Sequence, residues 1–333
     1  MLKGYMKYSL FKLISNCILV CCQFTFLILS ISPALAIYPE RPVRLIIGFP
    51  PGGAADILGR VAGDQMTDAL GKQVVIDNRG GAGGLIATEI AARSIPDGYT
   101  LLFTSIPHVI NPHLYKKVNY DAVKDFLPVV QFVSVPLVLA ASPLLTAKSV
   151  RDLIVYAQSN PDRLSYGSGG SGASSHLAME LFKSTVNIRI THIPYKGTGP
   201  LITDMLGGQI ALTIASIVPM IPHFKSGKLR PLGVTSKHRA GAFPDIPSIS
   251  ESVANYEVVN WFGIVAPVKT PIQVIDKINQ VVNTSLKNNE LIRRLHNQGA
   301  DPVGGSSQNF SEVIRSDFTK WGKVVKDSGA RVD

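Results

Sequence analysis

A glycine-rich stretch at residues 50–56, the first glycine loop, has the residue types and spacing of an anion-binding turn. An apolar run at residues 43–47 precedes it, and apolar residues recur at helical spacing over residues 57–70. The pattern predicts a buried strand, a tight turn and a helix. Backbone N–H groups and the positive dipole end at the start of such a helix attract anions, and Gly52 and Gly53 leave room for close approach. A βα turn without a ligand explains this stretch equally well.

The arrangement of strand, Gly/Ser-rich loop and helix start recurs at residues 78–84, 167–176 and 195–200. In doubly wound sheets such loops lie at the carboxyl ends of the strands, where ligands bind. The hydroxyl and amide groups of residues 167–176, the Gly/Ser loop, are hydrogen-bond donors that suit a carboxylate. Two domains whose loops face each other would enclose a small anion between helix N-termini. A flexible turn is the alternative for the Gly/Ser loop.

Serine hydrolysis is the enzymatic alternative, because the Gly/Ser loop contains four serines and His176. The nucleophile elbow G-x-S-x-G is absent there, and we expect His176 to pack beside the loop at a helix start. No string has the spacing of a dinucleotide loop or a Walker phosphate loop. The seven histidines show neither an H-E-x-x-H motif nor pairing at helical spacing. The sequence therefore predicts no cofactor and no metal.

Residues 1–36 have the pattern of a secretory signal: a lysine-bearing start, a short apolar run at residues 18–29 and an A-x-A site at residues 34–36. The pattern predicts export with cleavage after Ala36, and an uncleaved anchor is the alternative. All three cysteines lie in this segment, so the mature chain can form no disulfide. The formal net charge of +10 suits anionic ligands, whereas the scattered basic residues argue against nucleic-acid binding.

Strand-like and helix-like segments alternate along the rest of the chain, which favours an α/β fold with largely parallel sheets. The apolar residues 127–141 predict two short strands or one bent strand, because Pro128 and Pro136 interrupt them. Residues 105–108 are expected to form a loop after a third strand. Residues 261–267 are expected to form a strand that returns to the first domain.

Three later helices carry start signals. Ser149 is expected to cap one helix, and Pro271 is expected to open another at its first helical position. A last helix begins near Ser307, and its apolar residues fall at near-ideal helical spacing, which predicts core positions. These core positions are Phe310, Ile314, Phe318, Trp321 and Val325.

The crossover strands near Ala140 and Trp261 predict a chain that passes from one domain to another and returns. Lobe 1 comprises residues 37–139 plus 259–333, and lobe 2 comprises residues 140–258. Hinge closure across these two strands would trap a ligand between the lobes.

Six motifs, in order along the chain, together resemble one known family. They are PGGAAD at 51–56, NRGGAGG at 78–84, PDGYTLL at 96–102, NPHLY at 111–115, HIPYKG at 192–197 and LRPLGVT at 229–235. The similarity extends from about Tyr38 to the C-terminus. The chain thus resembles the Bug receptors, the periplasmic solute-binding proteins of tripartite tricarboxylate transporters.

The resemblance implies a two-domain periplasmic-binding-protein fold of type II, a Venus flytrap with its ligand cleft between the lobes. It implies a periplasmic location, membrane subunits of the transporter as partners, and a carboxylate held by both glycine-rich loops, partly through ordered waters. We also expect a monomer. Tyr195 is a further candidate, because its ring could stack on a ligand and its hydroxyl could donate a hydrogen bond. The expected ligand-binding residues are Gly53, Ala54, Ala55, Asp56, Ser105, Ser168, Gly170, Ser171, Ser174, His176, Tyr195, Thr198 and Ser216.

One departure from the family pattern bears on the ligand. Many members have an acidic residue soon after the Gly-Gly-Gln at residues 207–209, whereas this chain has Ile210, Ala211 and Leu212. The difference weighs against a ligand that carries an amine. The expected ligand is a dicarboxylate or tricarboxylate, an aromatic acid or an amino-acid-like acid. A sensor partner with the same ligand chemistry is a further alternative.

Overall fold

The computed structural model describes residues 38–170, 172–195 and 198–331. The predicted signal segment at residues 1–36 and the candidate residue Ser171 lie outside the described residues. Every helix and strand named below belongs to one compact unit that begins at Arg41.

Helices and strands alternate along this unit, as the sequence pattern predicts. The strands are β1 (Val43–Ile47), β2 (Val74–Asn78), β3 (Thr100–Ser105), β4 (Phe126–Ala141), β5 (Ser165–Ser168), β6 (Thr191–Pro194), β7 (Leu212–Ser216), β8 (Arg230–Val234), β9 (Val259–Pro267) and β10 (Asp301–Gly304). The α-helices are α1 (Ala54–Leu70), α2 (Leu85–Ala92), α3 (Pro107–Leu114), α4 (Val150–Ser159), α5 (Ser174–Val186), α6 (Thr198–Leu206), α7 (Ile221–Lys225), α8 (Ile272–Ser285), α9 (Asn289–Asn297) and α10 (Ser307–Ser328).

The described strands form one ten-stranded sheet in the order β2-β1-β3-β9-β4-β7-β5-β6, with β8 and β10 also paired to β4. Strand β4 pairs with β9 over residues 126–136 and with β7 over residues 137–141. The sheet therefore has a first half, with β1, β2, β3, β9 and β10, and a second half, with β5 to β8. Strand β4 runs through both halves and joins them.

The centre of the sheet is antiparallel, so the prediction of largely parallel sheets is wrong there. Among the named strands of the described residues, parallel pairing is confined to β1 with β2 and β3, and to β5 with β6 and β7. All described pairings of β4 and β9 are antiparallel. Both strands are almost fully buried and apolar. An apolar sequence of this kind does not indicate whether the neighbouring strands run parallel or antiparallel to it.

Residues 127–141 form one bent strand, which is the second of the two predicted alternatives. The register of β4 against β9 shifts between Pro128 and Val130 and again between Gln131 and Val133. Such bulges bend a strand and increase its twist, which lets β4 belong to both halves of the sheet.

Two helix starts differ from the prediction. Residues 105–108 are not a loop, because α3 begins at Pro107, whose missing N–H costs no hydrogen bond at a first helical position. Pro271 is the N-cap residue of α8 instead of its first helical residue. The start of α4 is as predicted, with the Ser149 side chain accepting a hydrogen bond from the Asp152 N–H. In α10 the predicted core residues are buried except for Phe318, which is partly buried.

Gly263 in β9 is packed so tightly that a side chain has no room. A Cβ atom there would lie 2.5 Å from Cζ of Phe310 and 2.8 Å from the carbonyl oxygen of Val130. We expect Gly263→Ala to lower the free energy of unfolding by about 2 kcal/mol, because overpacking forces neighbouring side chains and backbone to shift. Urea denaturation measures the change. Gly199→Ala in α6 is the control, since a Cβ there meets nothing within 4 Å, and equal losses in both variants would contradict the packing argument.

Candidate functional site

A cavity of about 450 Å³ lies where elements from both halves of the sheet meet. The turn between β1 and α1 contributes Gly53, Ala54 and Ala55 to its lining, and the end of β3 contributes Ser105. Ser174, the first residue of α5, also lines the cavity. Helix α5 follows β5 along the chain, so Ser174 belongs to the second half. The first glycine loop and the end of the Gly/Ser loop are thus brought together, which is what the sequence predicts for an enclosed anion.

Three helix N-termini converge on this cavity without side-chain caps. Their N-cap residues are Gly53 for α1, Ile106 for α3 and Ala173 for α5, and none of them makes a side-chain cap hydrogen bond. The first-turn N–H groups of α1 and α5 and the positive dipole ends of all three helices are therefore left for a ligand or water. Helix α3 contributes fewer donors, because Pro107 has no N–H and the Val109 N–H bonds to the Ile106 carbonyl oxygen at 3.1 Å. Side-chain caps are present at α4, α9 and α10, where they are Ser149, Asn288 and Ser306. Helices α2, α7 and α8 also lack a side-chain cap, so it is the convergence of three such starts on one cavity that distinguishes the site.

The rest of the lining is mainly apolar. Phe49, Ile106 and Phe262 provide large side chains, and Asn260 provides a carboxamide. Among the described residues that line the cavity, none has a charged side chain. An anion here would be held by main-chain N–H groups and neutral polar side chains, with no ion pair and no acidic side chain to repel it.

Asp56 is buried behind the first glycine loop and is not part of this lining. Its carboxylate accepts hydrogen bonds from the Gly52 N–H (2.9 Å), Arg60 Nε (3.0 Å) and Asn78 Nδ2 (3.0 Å). Burial by itself raises the pKa of Asp56, but these hydrogen bonds outweigh it and lower the pKa below its usual value. The ionised carboxylate thus fixes the shape of the loop, and its predicted contact with ligand stays a prediction.

The glycine-rich residues 78–84 support the first glycine loop instead of lining the cavity. Asn78 donates from Nδ2 to the carbonyl oxygen of Phe49 at 2.9 Å. A Cβ atom on Gly48 would lie 2.8 Å from the Cα atom of Gly84, so the two chain segments touch at their backbones. This close approach explains a glycine at residue 48.

Ser168 and Gly170 lie on the inner side of the Gly/Ser loop, outside the cavity lining. The Ser168 hydroxyl is within hydrogen-bond distance of Gly170 O (3.0 Å) and His192 Nε2 (2.7 Å). Burial and then the neighbouring His176 lower the pKa of His192 to about 4, so its ring is neutral at pH 7. Ser168 is fully buried, so this Ser–His pair holds the loop and presents no hydroxyl to a substrate. Sequence reasoning missed His192 as its partner.

His176 packs beside the Gly/Ser loop, in the position that the sequence predicts for it. Its Nδ1 atom accepts a hydrogen bond from the Gly172 N–H at 3.0 Å, and its ring stacks on His192 with centroids 4.1 Å apart. Burial lowers the pKa of His176. A contact between His176 and ligand stays a prediction.

Three further candidates, Tyr195, Thr198 and Ser216, lie outside the lining of this cavity. Tyr195 donates its hydroxyl to Asp204 Oδ2 at 2.7 Å, and burial followed by this hydrogen bond raises the pKa of Tyr195 to about 12. Thr198 is the first residue of α6, and Ser216 is the last residue of β7. Their contacts with ligand stay predictions.

Seven residues of the cavity lining are not among the expected ligand-binding residues: Phe49, Pro50, Pro51, Ile106, Pro107, Asn260 and Phe262. The sequence offers a clue to Asn260 and Phe262, because side chains alternate between the two faces of a strand. Asn260 and Phe262 are two residues apart in β9 and both line the cavity, whereas Trp261 between them packs against α10 on the other face.

Within the part of the chain that the structure describes, no cluster of three or more histidine, cysteine or acidic side chains could hold a metal ion. Over the same residues, each helix is too short or too polar to cross a lipid bilayer. The groups that the cavity offers are amides, hydroxyls, a carboxamide and apolar walls.

A two-part α/β sheet with a neutral, N–H-rich cavity between its parts defines a solute-binding protein with two lobes. A family model described as "Tripartite tricarboxylate transporter family receptor" matches residues 58–330. The chain belongs to this family, which confirms the resemblance read from its motifs.

Relatives and solved structures agree with this assignment. The protein BugT of Bordetella pertussis is 35% identical over 298 residues, which cover 89% of this chain and 91% of BugT. The structure of Rpa4515 from R. palustris, described with adipate, has a TM-score of 0.75 at 35% identity and covers 89% of this chain and 100% of its own. MatC from Rhodopseudomonas palustris, described with bound malate, has a TM-score of 0.70 at 27% identity, with 86% and 100% covered. The predicted α/β fold with two lobes is therefore confirmed.

Proposed function

We propose that this protein captures a small carboxylate between its two lobes and delivers it to a tripartite tricarboxylate transporter. The observation that carries the proposal is the convergence of three uncapped helix N-termini on one cavity without charged side chains. The adipate and malate named for two similar structures support a carboxylate as the ligand.

Useful affinity for a carboxylate requires several converging donors. Micromolar binding requires about 8 kcal/mol. A hydrogen bond to a charged group contributes about 1.5–3 kcal/mol, and one helix N-terminus adds about 0.3–1 kcal/mol. Several donors from both lobes must therefore act together, and closure of the lobes is what assembles them.

The finer parts of the proposal concern location and assembly. We place the mature protein in the periplasm after cleavage following Ala36, as a monomer that docks to the membrane subunits of its transporter. The proposed lobe boundaries at 139/140 and 258/259 are supported by β4, whose pairing changes from β9 to β7 between residues 136 and 137, and by β9, which begins at Val259 in the first half of the sheet. The hinge then consists of these two strands.

The hydrolase alternative finds no support at the serines of the Gly/Ser loop that the structure describes. Ser168 is fully buried, and Ser174 lies at the start of α5 with no histidine among its described hydrogen-bond partners. Relatives of this family are binding receptors. A sensor role would use the same cavity and ligand chemistry, and it differs only in the protein that recognises the closed form.

Replacing Ala54 with proline tests the role of the main-chain donors. Ala54 is the first residue of α1, and Gly53 before it has φ −82° and ψ 169°, which is a conformation compatible with a following proline. Ala54→Pro removes one N–H from the cavity while α1 is retained. We expect carboxylate affinity, measured by titration calorimetry, to fall by about tenfold or more.

Asn289→Pro is the matched control. Asn289 is the exposed first residue of α9, and its helix has a side-chain cap away from the cavity. This variant should bind carboxylates as tightly as the unmodified protein. Unchanged affinity in Ala54→Pro, or absence of binding across monocarboxylates, dicarboxylates and tricarboxylates in the unmodified protein, would refute the proposed function.

A further inference from the structure

A second cavity, of about 760 Å³, lies on the other face of β9. Trp261 lines it, whereas Asn260 and Phe262 on either side of Trp261 line the first cavity. Its walls come from β4, β9, β10 and α10, and from residues 236–240, which follow β8. The two cavities have no lining residue in common. The second cavity is therefore a separate place at which a molecule could bind.

Gln131 of β4 brings a polar group without a partner to this second cavity. It lines the cavity and is only 9% exposed, and no described residue forms a hydrogen bond with its carboxamide. Neither of its polar atoms is among the fully enclosed atoms that lack a partner, so the carboxamide is accessible from the cavity. Buried polar groups in native proteins almost always have a partner, so this one indicates a ligand.

Sheet pairing leaves space beside this carboxamide. Gln131 lies opposite Gly263 of β9 on one side and Gly304 of β10 on the other. Neither neighbour has a side chain that could cover Gln131 or bond to it. The main chain of Gln131 is fixed by both pairings, and a side chain on such a rigid element is well placed to select a ligand.

The charged side chains of the second cavity have a negative excess. Arg239 donates two hydrogen bonds to the Glu251 carboxylate, at 2.8 and 3.0 Å, and Glu251 lies outside the lining. The charge of Arg239 is thus already neutralised. The other lysine and acidic side chains of the lining carry four negative and two positive charges, and they are Glu257, Asp301, Glu312, Asp317, Lys237 and Lys320. A ligand with two positive charges would balance this excess.

Asp317 is a partly buried carboxylate of this lining. It accepts a hydrogen bond from Trp261 Nε1 at 2.8 Å. Burial raises the pKa of Asp317, because the charged form loses hydration. Lys320 opposes the shift, but its Nζ atom donates to the main-chain carbonyl oxygen of Glu257. A further cationic group beside Asp317 would therefore stabilise its ionised form.

The lining favours an extended organic cation over a metal ion. Among the described residues, no three histidine, cysteine or acidic side chains are grouped so that they could hold a metal ion. The wall also has apolar side chains on which a methylene chain can pack, and they are Val259, Trp261, Val303, Phe310 and Val313. A chain of methylene groups with an ammonium group at each end has both properties.

We propose that the second cavity binds a small α,ω-diamine. Its ammonium groups pair with carboxylates of the lining, among them Asp317 and Glu312, and Gln131 accepts a hydrogen bond from one of them at Oε1. Its methylene chain packs on the apolar side chains. This site is independent of carboxylate capture in the first cavity.

Titration calorimetry with ligands of matched length tests the proposal. The diamines are 1,3-diaminopropane, 1,4-diaminobutane and 1,5-diaminopentane, and each is compared with the monoamine of the same chain length. We expect at least one diamine to bind about tenfold or more tightly than its monoamine, because the second ammonium group gains a charge-assisted hydrogen bond. The zwitterion 4-aminobutyrate and Mg²⁺ should bind more weakly than that diamine.

Three variants locate the site. Gln131→Leu removes the carboxamide, and Glu312→Gln removes one charge from an exposed residue of the rim. Each should weaken diamine binding about fivefold or more and leave carboxylate affinity unchanged. Asp276→Asn is the matched control, since it removes one negative charge from an exposed position in α8 outside the lining. This control should bind the diamine like the unmodified protein, and urea denaturation checks that all three variants fold.

The contrary outcomes are distinct from those for the proposed function. Absence of diamine binding at millimolar concentration would overturn the proposal, and so would equal affinity for the diamine and its monoamine. Binding of 4-aminobutyrate or Mg²⁺ as tight as that of the diamine would assign the cavity to another kind of ligand. Equal losses in Asp276→Asn and Glu312→Gln would show non-specific attraction of cations. None of these results bears on carboxylate capture.

Discussion

Replacing Ser174 with aspartate should reduce carboxylate binding at least a hundredfold and leave the fold intact. Ser174 is the first residue of α5 and lines the cavity. An aspartate carboxylate in the first turn of a helix interacts favourably with the dipole, by about 0.3–1 kcal/mol, so the stability of the variant should be equal or higher. The negative charge of the aspartate would take the favourable interaction with the helix N-termini that the ligand carboxylate needs. Two like charges about 4 Å apart repel by about 4 kcal/mol at an effective dielectric constant near 20.

Ser174→Asn separates charge from size in this experiment. The amide has nearly the shape of the aspartate carboxylate but no charge, so calorimetry should show a small change in affinity. Urea denaturation of both variants monitors the fold. Comparable losses of binding in the two variants would show that space, and not charge, is critical at this position, which would contradict an anion site.

Acidification should destabilise the protein through His108. This side chain is fully buried in α3, and burial lowers its pKa from 6.5 to about 4, although its hydrogen bond to the Ala122 carbonyl opposes the shift. The unfolded chain binds a proton near pH 6.5, whereas the folded chain resists it until about pH 4. The stability contributed by neutral His108 is therefore present above pH 6.5 and lost as the pH falls to about 4, a change of about 3 kcal/mol.

Urea denaturation at several pH values, for the unmodified protein and for His108→Gln, measures this contribution. Glutamine can still donate to the Ala122 carbonyl but does not titrate, so the loss of stability between pH 6.5 and 4 should be smaller by about 3 kcal/mol in the variant. His238→Gln, at an exposed position, is the control and should keep the full acid dependence. If His108→Gln and the unmodified protein lose stability equally, another group causes the acid sensitivity.

Local patterns were sufficient to predict much of the fold. The strand, glycine turn and helix at residues 43–70 were predictable because each depends on neighbours in sequence: an apolar run, residues without Cβ atoms and helical periodicity. The same holds for α10 and for the cap at Ser149. Pairing direction was not predictable, because β4 and β9 are buried on both faces and meet across more than a hundred residues of chain.

The sequence predicted the type of site, an anion site built from helix N-termini, but only some of the residues that line it. Glycine-rich helix starts identified Gly53, Ala54, Ala55 and Ser174, because their function comes from the backbone and is visible in the local sequence. Asn260 has no such local signature. Whether Asn260 lines the cavity depends on which face of β9 is turned toward it, and long-range packing decides that orientation.

A charge site made of main-chain N–H groups has an evolutionary consequence. Every amino acid except proline supplies the same N–H, so substitutions at the starts of α1 and α5 can leave the attraction for a carboxylate unchanged. The walls at Phe49 and Phe262 are made of side chains and are free to vary. A lineage can therefore exchange one acid for another by altering a few wall residues, without losing the ability to hold an acid during the change.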